Sequence, residues 1–99
     1  MSEHWILKDG EPVQVPLLEW ALWFENTDTR RVAETIINDV RVSTVFLGIN
    51  HNFGGGKPLL FETMIFGGTH DEYQERYTTL EESMRGHEHA VALVKEATE

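Results

Sequence analysis

Two apolar runs that flank a glycine-rich loop constrain the fold of this chain more than any other feature. The runs cover residues 42–49 and 59–66, and both are rich in the β-branched and aromatic side chains that favour strands. The nine residues between them, 50–58, form a longer loop than a usual hairpin loop, which has about two to five residues. The pattern therefore predicts two adjacent antiparallel strands, joined either by a binding loop or by a flexible hairpin tip.

Tight-turn dipeptides predict further strands on both sides of this pair. Asp9-Gly10 and Asn38-Asp39 tolerate the positive φ angles that two-residue hairpin turns require. Residues 31–37 mix helix-forming with β-branched side chains, and the turn that follows them favours a strand. The additional predicted strands are residues 5–8, 13–15 and 31–37. Residues 40–42 follow the second turn and run into the first apolar strand, and residues 75–77 are either a short strand or an extended lead-in to the last helix.

Two helices are predicted from capping residues and apolar spacing. Pro16 suits the first position of a helix, because its missing N–H costs nothing there. The apolar face of this helix is Leu17, Trp20, Ala21 and Phe24. Residues 79–82 fit a capping box, in which the Thr79 and Glu82 side chains each bond the other's backbone N–H. The second helix then carries the apolar stripe Leu80, Met84, His87, Val91 and Val94.

These elements predict a single α+β domain over residues 1–99. A mainly antiparallel sheet of four to five strands is expected, with two helices packed on one face. Both alternating rows of side chains in the central strands are apolar, whereas two short helices can cover only one face. A second subunit is the simplest cover for the other face, so a homodimer or higher oligomer is expected.

The acidic charge, the absence of cysteine and the lack of a long apolar run exclude several classes of function. The chain has 17 Asp and Glu residues against 8 Lys and Arg, and its net charge of −9 repels nucleic-acid backbones. The absence of cysteine removes disulfides, thiolate catalysis and cysteine-based zinc sites. We expect no signal peptide, and no run approaches the ~20 apolar residues of a membrane span. A cytoplasmic protein without a membrane partner or a bulk nucleic-acid partner is therefore expected.

The glycine-rich loop does not match a phosphate-binding P-loop. The leading glycine is missing, and Pro58 follows Lys57 where Ser or Thr is needed. Glycines 54–56 would still let the backbone approach an anion closely. In that alternative, Lys57 and His51 assist the backbone N–H groups, and Phe53 stacks on a ring of the ligand.

Arginines elsewhere in the chain are needed to complete such a site. Arg76-Tyr77 combines a guanidinium that suits phosphate with a ring that suits base stacking, although a surface strand end also explains the pair. The candidate ligand-binding residues are His51, Asn52, Phe53, Gly55, Lys57, Arg76, Tyr77, Arg85 and Arg41.

His87 and Glu62 have structural explanations that compete with chemical ones. His87 lies on the apolar stripe and is expected in the core, and Gly86 would allow a close approach beside it. His87 and His89 point to opposite sides of a helix, so a shared metal is not expected. For Glu62, a structural salt bridge is favoured over a role as a catalytic acid. Its candidate partners are Arg41, Arg76 and Arg85. No catalytic motif is present, so neither an enzyme nor a cofactor is predicted.

The order of several sequence blocks resembles a family of small proteins encoded by tailed bacteriophages and prophages. The blocks are residues 42–48, 51–54, 60–68, 76–78, 81–82 and 86–87. The resemblance implies a phage protein made in the bacterial cytoplasm and implies no particular activity. In size, α+β layout and expected oligomerisation, the chain is also similar to phage anti-defence proteins that sequester the cyclic-nucleotide or ADP-ribose signals of CBASS and Thoeris immunity.

Two functional hypotheses follow. In the first, the protein is a non-enzymatic binding protein that sequesters a small anionic ligand, most plausibly a nucleotide immune signal, in the candidate residues above. In the second, it is an acidic interaction protein that inhibits a host defence protein by covering its surface or by mimicking nucleic acid. A hydrolase of the same signals and an accessory protein that only dimerises are further alternatives.

Overall fold

The computed structural model describes residues 3–26, 30–52 and 54–98. In this part of the chain the elements are β1 (Trp5–Lys8), β2 (Glu11–Gln14), α1 (Leu17–Phe24), β3 (Arg31–Ile37), β4 (Val40–Phe46), β5 (Phe61–Phe66), β6 (Gln74–Tyr77) and α2 (Leu80–Thr98). The strands form two antiparallel sheets, β1-β2 and β3-β4-β5-β6. The predicted α+β class is confirmed, whereas the strands expected in one sheet are divided between two.

Both predicted hairpin turns have the conformation that their sequences favour. Asp9 and Gly10 adopt φ angles of 51° and 82°, and Asn38 and Asp39 adopt 47° and 70°. Positive φ at both central positions is typical of a type I′ turn, whose twist matches that of the flanking strands. Each two-residue turn therefore sets the register of the strand pair that it joins.

Helix α2 begins at the predicted capping box. The Glu82 N–H donates to Thr79 Oγ1 at 3.1 Å, and the Thr79 N–H donates to Glu82 Oε1 at 3.0 Å. The helix then packs on all four strands of the larger sheet. The predicted stripe differs at Met84, which is exposed because Ser83 takes the inward position. Neither helix in the described residues is long and apolar enough to cross a membrane.

The core beneath α2 has two parts. One cluster joins Val40, Val42 and Ile65 of the sheet to Ala90 and Val94 of the helix. The other cluster is centred on Phe46, Leu60 and Phe61, and it is covered in part by side chains of the β1-β2 hairpin and of α1. The hairpin therefore replaces part of the cover that a second helix was expected to provide.

Helix α1 packs mainly against β1, whereas α2 crosses the larger sheet. The Trp23 ring meets Phe46 edge-on, with ring centroids 5.7 Å apart, and so links α1 to the second cluster. Leu17 was expected on the buried face of this helix but is exposed, as are Leu18 and Leu22. We refer to these three leucines as the leucine edge of α1.

Strand β4 ends at Phe46, three residues earlier than its apolar run predicts. Gly48 has a φ angle of 78°, which interrupts the extended backbone. A Cβ atom at this position would lie 2.7 Å from Phe24 and 2.9 Å from Trp20, so α1 packs directly on the glycine backbone. Ile49 then forms an isolated bridge with His4. Tertiary packing of α1 therefore overrides the strand propensity of residues 47–49.

One face of the larger sheet is covered by α2, and the opposite face carries no helix among the described residues. We call this opposite surface the open face. By strand register it carries Arg31, Glu34, Ile36, Arg41, Ser43, Val45, Glu62, Met64, Phe66, Gln74 and Arg76. The prediction that two helices pack on one face of the sheet is therefore met only by α2, because α1 packs against β1 of the smaller sheet.

Candidate functional site

Two asparagines close the base of the long loop. Asn50 Oδ1 accepts hydrogen bonds from the backbone N–H groups of Asn52 (2.8 Å) and Leu59 (3.0 Å). Asn52 Nδ2 donates to the Lys57 carbonyl at 2.8 Å, and Asn52 Oδ1 accepts from the Gly54 N–H at 3.2 Å. The loop is thus held together by its own side chains, and the Asn52 amide proposed for a ligand is used within the loop.

The other candidates in this loop occupy separate places. His51 is half-buried, and its backbone N–H donates to the Leu59 carbonyl at 3.0 Å. Gly55 lies at the exposed tip with a φ angle of 86°, where an added Cβ would meet no atom within 4 Å. Phe53, the proposed stacking residue, lies outside the described residues. The described part of the tip therefore places no second element against Gly55.

Lys57 and Arg85 both interact with carboxylates of α2. The charge of Lys57 contributes to lowering the pKa of Glu82, although hydrogen bonds from Thr79 are the larger cause. Arg85 Nη1 lies 2.8 Å from Glu81 Oε1 on an exposed helix surface. Both cations therefore act on neighbouring acids of the same protein.

Arg76 and Tyr77 lie on opposite faces of the sheet, because successive strand residues alternate in direction. Arg76 Nε donates to Glu62 Oε2 at 2.8 Å on the open face, and Gln74 Nε2 donates to the same oxygen at 2.6 Å. The Tyr77 ring lies on the α2 side and contacts Gly86, where an added Cβ would overlap it. The predicted salt bridge of Glu62 is confirmed with Arg76, but Arg76 and Tyr77 do not face a common pocket.

Arg41 also lies on the open face but at its other end. Its Nη1 is 3.2 Å from Glu34 Oε2, and its guanidinium lies 4.4 Å from the centroid of the Phe66 ring. From strand spacing and rise, Arg41 and Arg76 are roughly 16 Å apart. The three predicted arginines are therefore far apart, two at opposite ends of the open face and Arg85 on α2, each beside a glutamate, and they do not converge on one anion.

A cavity of about 700 Å³ lies between the β1-β2 hairpin, the chain that leads into β5, and the first turns of α2. Its walls are mainly apolar. The apolar side chains that line it are Trp5, Pro12, Pro58, Leu60, Leu80 and Met84. A largely apolar concavity of this size with a few polar groups at its edge is the usual form of a small-ligand or side-chain site.

The charged residues of this cavity are predominantly acidic. Glu11 comes from the hairpin, and Glu81 and Glu88 come from α2, so carboxylates stand on two of its walls. Arg85 is the cation among the lining residues, and it is paired with Glu81. Three carboxylates against one guanidinium give a negative potential, which favours a cation and disfavours a phosphate.

Trp5 contributes an aromatic side chain to the wall of the cavity. Its indole N–H is buried and has no hydrogen-bond acceptor among the described residues. Because this nitrogen is shielded, it is not a donor that a molecule in the cavity can reach. The cavity thus combines an aromatic wall and a carboxylate rim.

Of the eight predicted residues that the structure describes, Arg85 alone is among the lining residues of this cavity. One pattern in the sequence points to the remainder. Glu81, Arg85 and Glu88 recur at spacings of four and three, which places them on one side of a helix. The contribution of the hairpin, by contrast, depends on its docking beside α2 and has no local sequence pattern.

His87 forms a second polar centre beneath α2. Its Nδ1 lies 2.8 Å from Thr44 Oγ1, and its Nε2 lies 2.9 Å from Thr35 Oγ1. Thr44 Oγ1 is also 2.6 Å from Thr63 Oγ1. Burial lowers the pKa of His87, and the nearby charge of Glu88 opposes this shift. The prediction that His87 is a core residue is confirmed, with both ring nitrogens paired.

This arrangement suits a structural imidazole. A hydroxyl can donate or accept, so the threonines satisfy the ring in either neutral tautomer. A cavity of about 360 Å³ borders the Thr35 side of the ring. Among residues 3–26, 30–52 and 54–98, no group of three His, Asp or Glu side chains is arranged to hold a metal ion.

Comparison of the chain with models of known protein families, with curated proteins and with solved structures found no match.

Proposed function

We propose that this protein is a non-enzymatic, acidic interaction protein that binds a positively charged segment of a partner protein in the cavity between the hairpin and α2. The observation that carries the proposal is the composition of that cavity, an apolar wall beneath a rim of three carboxylates and one guanidinium. This corresponds to the second hypothesis drawn from the sequence, in which an acidic surface covers a host protein.

The cavity matches the two parts of a lysine or arginine side chain. The aliphatic stem of such a side chain packs on apolar surface, whereas its charged head stays near water or carboxylates. Trp5 offers an aromatic face for a cation, and Glu11 and Glu88 stand at the rim on different elements.

The net charge of the whole protein supports the same choice of ligand. A charge of −9 attracts basic partners over distances comparable to the Debye length, about 8–10 Å at ordinary ionic strength. It repels nucleotides unless arginines converge on them, and Arg41, Arg76 and Arg85 are separated. Sequestration of a nucleotide signal therefore stays a prediction that the described distribution of charge does not favour.

The resemblance to tailed-phage proteins gives the proposal a biological setting. A phage protein in the bacterial cytoplasm that captures a basic segment would inhibit a host defence protein by occupying its nucleic-acid-binding surface, because such surfaces are rich in lysine and arginine.

A peptide titration tests the proposal. The probe is a short amidated peptide of alternating leucine and arginine, and the matched ligand replaces each arginine with glutamate. Replacing Trp20 and Trp23 by Phe leaves Trp5 as the tryptophan reporter of the cavity. We expect the basic peptide to change Trp5 fluorescence, with weaker binding at higher salt, and we expect no change with the acidic peptide or with ADP-ribose.

Charge-matched variants locate the effect. Glu11→Gln/Glu88→Gln removes two carboxylates of the rim, whereas Glu72→Gln/Glu96→Gln removes two exposed carboxylates that do not line the cavity. The first variant should weaken binding of the basic peptide at least tenfold, and the second less than threefold. Equal weakening by both variants, or binding of ADP-ribose in place of the basic peptide, would overturn the proposal.

A further inference from the structure

We infer that the open face is a self-association surface and that its occupant is a second copy of this chain. Helix α2 and the hairpin cover the other side of the sheet, and the open face keeps apolar side chains in contact with solvent. Ile36 is 66% exposed and Phe66 is 38% exposed, with Arg41 between them on the middle strand, and Val45 and Met64 in the neighbouring rows are half-buried. Apolar side chains that stay exposed on a sheet face are one feature of an interface.

The local charge of the open face points to a copy of the same chain. Three arginines and two glutamates lie on it, a balance of +1 within a protein whose net charge is −9. Two copies repel each other wherever their acidic surfaces meet, because like charges brought together cost free energy. The open face lets them meet with little repulsion, since its acids are already paired with its arginines.

Both glutamates of the open face are already paired within one copy. Glu34 pairs with Arg41, and Glu62 receives hydrogen bonds from both Arg76 and Gln74. Charged side chains already engaged within one copy need not find new partners when a second sheet packs on them. Two sheets pack face to face at about 10 Å through such interdigitating side chains.

The leucine edge of α1 is the competing apolar surface. It is strongly exposed, but Glu19 lies within the helix and Glu25 follows it, and α1 has no basic residue in its last turn. Two leucine edges would therefore bring acids together in a protein that is already strongly acidic. A surface of this charge suits a basic partner better than a second copy.

The size of the open face sets the strength of the association. Four strands at about 4.8 Å spacing and six residues at about 3.3 Å rise give a face of roughly 20 Å by 20 Å. This is smaller than the ~800 Å² per partner of a standard stable interface. A reversible dimer with a dissociation constant in the micromolar range is therefore expected.

Sedimentation velocity between about 1 and 200 µM tests the inference. We expect a concentration-dependent shift from monomer to dimer, strengthened when salt rises from about 50 to 500 mM, because screening weakens the repulsion between two acidic copies. A chain that stays monomeric up to 200 µM at both salt concentrations would overturn the inference.

Two matched substitutions identify the surface. Ile36→Glu adds a carboxylate to the open face, and Leu18→Glu adds one to the leucine edge, where the replaced side chain is 74% exposed. Both sites are exposed, and far-ultraviolet circular dichroism confirms that each variant is folded. We expect Ile36→Glu to raise the dissociation constant at least tenfold and Leu18→Glu to change it less than threefold. The opposite order would assign the dimer to the leucine edge and refute the open face.

Discussion

Replacing Thr44 with Val tests whether the hydroxyl network around His87 stabilises the fold. Thr44 is fully buried, and its hydroxyl lies between His87 Nδ1 at 2.8 Å and Thr63 Oγ1 at 2.6 Å. Valine has nearly the same shape, so the substitution opens no cavity and removes only the hydroxyl. It leaves a ring nitrogen and a second hydroxyl without this partner in a buried part of the core.

The magnitude follows from the cost of unpaired buried groups. Each buried donor or acceptor that loses its partner costs about 1–3 kcal/mol. His87 Nδ1 and the Thr63 hydroxyl both lose this partner, so we expect Thr44→Val to lower the free energy of unfolding by about 2–3 kcal/mol.

Thr35→Val is the matched control on the other side of the same ring. Thr35 lies 2.9 Å from His87 Nε2, but it is half-buried and borders the 360 Å³ cavity, where water can replace the hydroxyl. We expect a loss below about 1 kcal/mol. Urea unfolding at pH 7.5 and one fixed protein concentration measures both. Losses equal within about 0.5 kcal/mol, or a larger loss for Thr35→Val, would refute the argument from burial.

Two further predictions concern the same helix. Burial lowers the pKa of His87 below its usual 6.5, so protonation of His87 favours the unfolded chain. The stability that the neutral ring contributes is complete above pH 6.5. It is lost as the pH falls through the lower pKa of the folded state. Urea unfolding at pH 7.5 and 5.5 should show this loss, and a His87→Gln variant with an undiminished pH dependence would contradict it. Gly86→Ala should destabilise the protein by about 1–2 kcal/mol despite the ~1 kcal/mol helix preference of alanine, because its Cβ overlaps Tyr77. A rise in melting temperature for this variant would show that the Tyr77 ring moves aside without cost.

Local chemistry made much of the fold predictable. The turns at Asp9-Gly10 and Asn38-Asp39, the capping box at Thr79–Glu82 and the strand at residues 31–37 each depend on neighbours in the sequence, and each is present. The end of β4 was not predictable in this way. Gly48 interrupts that strand because α1, some 25 residues earlier, packs on its backbone.

The candidate site was less predictable for a related reason. Arg76 and Tyr77 are adjacent in sequence, but strand alternation sends them to opposite faces, as it does any two successive residues of a strand. Glu11 and Glu88 are far apart in sequence and meet across one cavity because the hairpin docks beside α2. No short sequence motif predicts that the hairpin docks there.

The division of the strands into two sheets has a kinetic consequence. The small sheet meets the chain after β4 at the His4–Ile49 bridge and at the hydrogen bond from the Trp5 N–H to the Gly48 carbonyl, 2.9 Å long. Trp5 and Leu7 also pack on the second cluster, but the hairpin is a separate sheet and can open as a unit at a lower free energy than the larger sheet. Because one wall of the cavity is the hairpin and the other is α2, a bound peptide would tie the two together. The rate of hairpin opening would then set the residence time of the peptide. Slower amide hydrogen exchange in β1 and β2 would show that the cavity is occupied.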